Sequence, residues 1–463
     1  MKPSSSWPSK LSGLVVAGAC ALSLSACGGG GSTAPMTSAT STPPAVSPTE
    51  STSATSPAPL TGSITLWHFF TDREATVLQQ AIDAFTSANP GVTVNVQSGQ
   101  DDDKMRQAIA AGQPIDVGIS YSRDQLGVLC TSGAFMDLAP FIAADKTDLS
   151  LLLPKAADYT TFEGKRCALP MMGDATALYY NQEMFTAAGI TTPPKTLAEL
   201  ADDAVKLTTY KPNGAIDKLG FMPLMEYQET TAQGLAPMAQ AQWFGADGKS
   251  SLATDPGWTT IYNWQKDLIK RLGGFQKLHD WMSASEDEFS DQNDFQIGRI
   301  AMVLDGEWRT AFIADQAPSL KYATAPLPMD PAHANAYGAG LVDGNLIGIP
   351  KGSSNPQLAW QLVKFLAMNT DAQVLIGNGL KNVPTLTSAV QSPKLEKDAN
   401  YQVFLDAFEN QYSMTSPTTV IGVQYQDLLS AFTQDWESGA KTDLAGGLAG
   451  VAKQIDDAIA LGG

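Results

Sequence analysis

Between Ser63 and Ile119 the chain alternates between two hydrophobic periods, and this rhythm restricts it to one fold class. Ser63-Ile64-Thr65-Leu66-Trp67 is a short apolar run with strand character. Asp72 to Ala88 follows a helical period, with Val77, Leu78, Ile82 and Phe85 on one face. Asn89-Pro90-Gly91 stops that helix and turns the chain into the alternating strand Val92-Thr93-Val94-Asn95-Val96. Met105 to Ala111 is helical again, and Ile115 to Ile119 is another short apolar strand. Strand, helix, strand, helix, strand predicts an α/β fold built on a mainly parallel sheet with helices on both faces. Such sheets bind ligands beyond the carboxyl ends of their strands. Here those ends are Trp67-His68-Phe69-Phe70 and Ser120-Tyr121-Ser122-Arg123-Asp124.

Further along, Ala168-Leu169-Pro170 and Ala177-Leu178-Tyr179-Tyr180-Asn181 are apolar runs separated by a polar break at Gly173-Asp174. Helical patterns follow over 196–207, where Thr196 and Glu199 have capping-box spacing, and over 258–272. The chain turns extended near Ala325 to Pro328. A strand is expected at Asn345 to Pro350, a helix at Pro356 to Ala367, and a helical tail from Tyr401. No internal repeat is evident.

The N-terminus carries a different message. Lys2 and Lys10 precede an apolar run from Leu11 to Ala26 that is too short to span a bilayer comfortably. It closes in Leu24-Ser25-Ala26-Cys27, the pattern of a bacterial lipobox, which makes Cys27 the expected lipidation site and residues 1–26 a signal peptide. Residues 27–60 are Gly, Ser, Thr, Pro and Ala with almost no apolar side chains, a composition that predicts a disordered stalk. A coil of about 33 residues reaches about 30 Å. The membrane partner expected for this chain is thus a lipid anchor on the extracytoplasmic face. The full chain has 29 Lys+Arg against 47 Asp+Glu, a net charge of −18. That excess argues against nucleic acid as a partner. With Cys20 in the signal and Cys27 lipidated, Cys130 and Cys167 remain, and an oxidising compartment predicts a disulfide between them.

Catalytic motifs are missing. There is no G-x-S-x-G elbow, H-E-x-x-H, P-loop or G-x-G-x-x-G after a strand, and only three histidines. Asp305 and Glu307 share one short turn and do not pair across a cleft as glycosidase carboxylates must. Tyr179-Tyr180 could suggest ferric iron, but adjacent strand side chains point to opposite faces. No metal, no cofactor and no enzymatic activity are expected.

Six motifs in order then resemble the extracellular solute-binding proteins of ABC importers, in the group of carbohydrate receptors similar to maltose-binding protein. They are Thr65-Leu66-Trp67-His68 with Asn89-Pro90-Gly91-Val92; Ile115-Asp116-Val117 with Gly133 to Leu138; Gly164-Lys165 through Tyr179-Tyr180-Asn181; Ala188-Gly189-Ile190 through Glu199-Leu200; Phe295-x-x-Gly298-Arg299-Ile300-Ala301-Met302 with Gly306-Glu307-Trp308; and Gly348 to Ser353 with Ala359-Trp360 and Phe365-Leu366. The resemblance runs from about Ser63 to the C-terminus. It implies a type II periplasmic-binding-protein-like fold of two lobes. Lobe one would comprise 61–173 and 329–370, and lobe two 174–328 and 371–463. It also implies a monomer that closes on a sugar or oligosaccharide in the hinge cleft and presents it to ABC permease subunits.

By position in these motifs, Asp174 corresponds to a carboxylate that hydrogen-bonds sugar hydroxyls, and Trp308 to a stacking aromatic. Trp67, His68, Tyr121, Arg123 and Asp124 are candidates at the strand ends. Asp343, in Gly340 to Gly344, is a further candidate, as are Gln424 and Tyr425 in the C-terminal lobe. Saccharides present hydroxyls at their edges and a C–H face, so carboxylates and flat rings are the residue types they call for. The remaining tryptophans are expected to pack. Readings kept open beside the sugar receptor are a receptor for a glycerophosphodiester or another small polar solute, for which Arg123 would be the anion partner, and a cell-surface carbohydrate-processing enzyme.

Overall fold

The computed structural model describes residues 59–462. The signal peptide, Cys27 and nearly all of the stalk lie outside the described residues. Strand β1 (Thr61–His68) pairs in parallel with β2 (Gly91–Gln97) and β3 (Val117–Ser120), while helices α1 (Asp72–Ala88) and α2 (Asp102–Ala110) make the crossovers. These elements follow the expected periods. Val77, Leu78, Ile82 and Phe85 of α1 are buried against Ile64, Leu66 and Ile119, with Trp360 and Leu366 of the 356–368 helix closing the same core. Each such side chain contributes about 1.5–3 kcal/mol by leaving water.

The two apolar runs around Gly173-Asp174 prove to be a single strand, β4 (Ala168–Asn181). Its first half pairs with β7 (Leu341–Gly348), and its second half pairs with β5 (Met302–Gly306) and β6 (Tyr322–Ala325). All these ladders are antiparallel, as is β3 with β7. The sheet is therefore mixed, and its parallel part is the opening unit. The reason is topological: β4 carries the chain out of the first sheet and β7 brings it back, so they must run in opposite directions. Two short strands complete the set, β8 (Val383–Pro384) on β4 and β9 (Met414–Thr415) on β7.

A second, larger core surrounds the far half of β4, with Leu178, Tyr179, Trp258, Tyr262, Phe295 and Phe404 all buried. The Tyr179 hydroxyl donates to the Gly306 carbonyl at 2.7 Å, and the Tyr180 ring packs on Phe185, so this pair is structural. Trp243, Trp258, Trp281, Trp360 and Trp436 are buried and Trp264 partly so, all serving as packing residues. Cys130 and Cys167 are joined by a disulfide with a Cα–Cα distance of 5.6 Å, linking the 126–131 helix to the start of β4. The 370–380 helix buries Ile376 and Leu380 in the same core as α1.

Candidate functional site

The site is organised by one break in an otherwise buried strand. Of the 14 residues of β4, only Asp174 and Tyr180 are not fully buried. Asp174 sits where the strand passes from one sheet to the other, directly opposite Asp343 in the β4–β7 register. Two carboxylates thus face each other at the crossing.

Each is held by a distinct set of donors. The Asn345 amide donates to Asp174 at 3.5 Å and to the Tyr121 carbonyl at 3.2 Å. Asn382, which follows the left-handed Lys381 at the end of the 370–380 helix, donates to Asp174 and also to Glu307 at 3.0 Å. Glu307 also accepts the Ala175 amide at 2.8 Å. Asp343 accepts the Arg123 backbone N–H at 3.1 Å and the Ser416 hydroxyl at 2.9 Å. Beyond it, the Arg123 guanidinium donates to Thr418 at 2.8 Å. Asp124 accepts from the Tyr425 hydroxyl at 3.3 Å and from Gln426 at 2.9 Å.

Burial sets the electrostatics, because desolvation disfavours the charged form of a carboxyl group. It pushes Asp174 up to about 7, with the charge of Glu74 adding to the rise. Burial and then Asp124 push Asp343 up to about 7, against the pull of Arg123. Glu307 lies well above the usual range through burial and the charge of Asp174. Glu229 is raised to about 7 by burial, then by Asp305, with Asp174 and Asp343 also contributing.

Trp308 opens the 308–316 helix, and its ring lies across Gly306, where a Cβ would fall 2.1 Å from a ring atom. Glycine is required there by that close approach. The next residue, Arg309, is fully buried and pairs with Asp305 at 2.5 Å and Glu288 at 3.6 Å. Phe69, Phe289 and Phe312 line a neighbouring cavity of about 580 Å³ with Arg73 and Glu74.

Hydrogen bonds link Asp343 to Arg123, Asp343 to Asp124 through the Ser122 hydroxyl, and Asp124 to Tyr425, while Asp174 faces Asp343 across the β4–β7 ladder. Trp308 directly follows Glu307 in the chain, and Tyr121 is joined through Asn345. Tyr121 is 44% exposed and meets Phe69 edge-on at 6.0 Å. Three candidates need correction. His68 is buried, with burial lowering it to about 4, so it is a neutral packing residue. Tyr425 is also fully buried, packing on Trp243 and supporting Asp124 from behind. Gln424 is exposed at the first position of the 424–438 helix, outside this hydrogen-bonded network. Trp67 is half-buried against the larger core. Sequence reasoning missed Glu229, Asn345 and Asn382, and treated Glu307 only as a possible partner of Asp305. For Asn382, the one local signal is a polar Lys-Asn pair wedged between an apolar helix and Val383-Pro384. Among the described residues no three His, Cys, Asp or Glu side chains converge as metal ligands, and no helix is long and apolar enough to cross a membrane.

The sequence signature of the bacterial extracellular solute-binding proteins matches residues 80–403, well over half of the chain. The chain belongs to that family. Relatives of this solute-binding protein include the maltotriose-binding protein of Pyrococcus abyssi, 25% identical over 361 residues, covering 76% of this chain and 73% of the relative. A maltooligosaccharide ABC transporter solute-binding lipoprotein of Streptococcus pneumoniae is 24% identical over 296 residues, 62% of this chain and 64% of the relative. Among solved structures, CpMnBP1 with mannotriose bound superposes with a TM-score of 0.75 at 23% identity, over 84% of this chain and 99% of that one. Maltose-bound MalE3 of T. maritima gives 0.70 at 21% identity, over 85% and 99%. These likenesses establish the type II two-lobed fold. The family and these neighbours are binding proteins.

Proposed function

We propose that this protein is the substrate-binding subunit of an ABC importer for a sugar or oligosaccharide. The observation that carries this reading is the set at the sheet-to-sheet crossing. Asp174, steadied by the amides of Asn345 and Asn382, and the facing Asp343 supply hydroxyl acceptors, and the flat ring of Trp308, packed over Gly306, supplies an aromatic face. Carboxylates and amides that orient hydroxyls beside an aromatic face match the two kinds of surface a pyranose offers. The sugars named for the relatives point the same way. The facing carboxyl groups of Asp174 and Asp343 disfavour the anionic glycerophosphodiester alternative. Turnover is not part of this reading.

In this mechanism the lobes close on the ligand about the crossings at β4, at 326–329 and near 381, and the closed form docks on permease subunits. The lobe one segments are then 61–173 and 329–380, the remainder forming lobe two. A lipid on Cys27 and the 27–60 stalk tether a monomeric receptor beside its permease, which raises its local concentration there. Thermal shift and isothermal calorimetry against a panel of neutral mono- and oligosaccharides test the ligand class. At least one sugar should raise the melting temperature, and Trp308→Ala should weaken its binding by more than about 1.5 kcal/mol. A response confined to glycerophosphocholine, a polyamine or ferric iron would refute the carbohydrate reading, and product release from an oligosaccharide would restore the enzyme alternative.

A further inference from the structure

The cavity beside the Trp308 helix has aromatic walls drawn from two distant segments. Phe69 comes from the loop between β1 and α1, whereas Phe289 and Phe312 come from the stretch that carries Trp308. The two segments meet there, since the Arg73 guanidinium lies over the Phe312 ring at 4.9 Å. Tyr121 extends the first wall, edge-on to Phe69, and Phe289 packs on Phe312 with ring centroids 5.5 Å apart. At about 580 Å³ the cavity falls within the roughly 300–1,000 Å³ typical of small-molecule sites.

Polar groups share the lining. Glu74, Asp287 and Asp315 supply acceptors, and the Nε of Arg73 is buried without a hydrogen-bond partner. Phe289 remains 50% exposed on this cavity, a large apolar face that a ligand would cover. Rings for C–H faces, with carboxylates and a guanidinium for hydroxyl edges, are what a pyranose calls for.

The spacing and the two walls say more. Trp308 and Phe312 lie four residues apart on one face of the 308–316 helix, with Cβ atoms about 5–6 Å apart. That is close to the advance of one sugar unit along an oligosaccharide, so the two rings can meet successive units. Aromatic rings on both walls also favour one stereochemistry. A pyranose whose hydroxyls are all equatorial, the glucose configuration, shows only C–H bonds on both faces. An axial hydroxyl, as at C2 of mannose, would point at a phenyl ring and lose its water without gaining a partner.

We propose that the cavity lined by Phe69, Phe289 and Phe312 is a second saccharide subsite that selects a glucose-configured unit, so that the ligand is an oligosaccharide of at least two units. The inference rests on the carbohydrate reading of the crossing and narrows its ligand class.

The test is isothermal calorimetry on the intact chain with glucose, mannose and their α- and β-1,4-linked di- and trisaccharides, compared at equal linkage and length. At least one glucose-configured oligosaccharide should bind about tenfold tighter than both glucose and its mannose-configured counterpart. Phe289→Ala should remove most of that preference, and Phe289→Trp, which keeps a flat face, should retain it. Circular dichroism and melting check the fold of each variant. If Phe289→Ala is destabilised, Phe289→Leu takes its place, since it keeps bulk without the ring. Mannose-configured oligosaccharides that bind as tightly as their glucose counterparts, or a preference unchanged by loss of the ring, would overturn the subsite and leave the carbohydrate reading intact. Failure of all these sugars also overturns the subsite, and the wider panel of neutral saccharides then decides the carbohydrate reading separately.

Discussion

The chemistry of this receptor is concentrated in a few residues whose properties are set by their neighbours. Gly306 is one of them. Its missing Cβ makes room for the Trp308 ring, so Gly306→Ala should swing the indole out of place. Sugar affinity should fall about tenfold, the weight of one aromatic contact, while the far-ultraviolet spectrum is retained. An unchanged Kd would show that the ring position is unimportant. The titrating groups make a second prediction. Asp174, Glu229 and Asp343 sit at about 7 in the fold, so the native state keeps protons that the unfolded chain has lost. Their stabilising contribution is complete below the ordinary carboxylate range and is lost as pH rises through 7. His68, lowered to about 4, acts in the opposite sense, but only as pH falls from 6.5 through 4. Above pH 6.5 the carboxylates alone set the slope, so the ligand-free melting temperature should fall between pH 6.5 and 8. Asp174→Asn should flatten that fall, and a melting temperature that climbs across the interval would contradict it.

At the scale of elements, local signals and tertiary demands separate cleanly. The 197–207 helix begins with a complete capping box, Thr196 receiving the Glu199 N–H at 3.1 Å and Glu199 receiving the Thr196 N–H at 3.0 Å. Thr196→Ala should cost about 1 kcal/mol, read as a lowered midpoint in chemical denaturation with ligand affinity unchanged, because the cap lies outside the site's hydrogen-bonded network. α1 was legible for the same reason: an amphipathic stripe bounded by Asn-Pro-Gly carries its own start, face and stop. β4 was not. Gly173-Asp174 looks like an interruption by composition, yet the strand runs through it, because antiparallel partners on both sides satisfy its backbone. Asp174 is tolerated in that buried ladder since two amides from distant segments reach it.

At the scale of the whole molecule, function depends on two sheets sharing strand β4. Such a shared strand is a natural hinge, and the carboxylates at its midpoint feel both lobes. Small-angle scattering should therefore record a smaller radius of gyration when a bound sugar draws the lobes together. A radius unaffected by a saturating ligand would argue for a rigid pocket. Asn382 is as remote from Asp174 in sequence as it is close in space, and the same holds for Asn345. No period or motif near those residues marks them as partners, because what brings them together is the return of the chain through β7 and β8.

The sequence by itself determined the opening βαβαβ unit, the helix caps, the cysteine pairing partners and the ordered motifs of a solute-binding protein. Each of these is written in neighbouring residues or in residue counts, and short-range sterics and hydrophobic period suffice to read them. Only the tertiary structure decided the antiparallel centre of the sheet, the fate of His68 and Tyr425, and the membership of the acidic cleft. Those depend on burial and on contacts between segments far apart in the chain, where desolvation sets which carboxyl groups keep their protons.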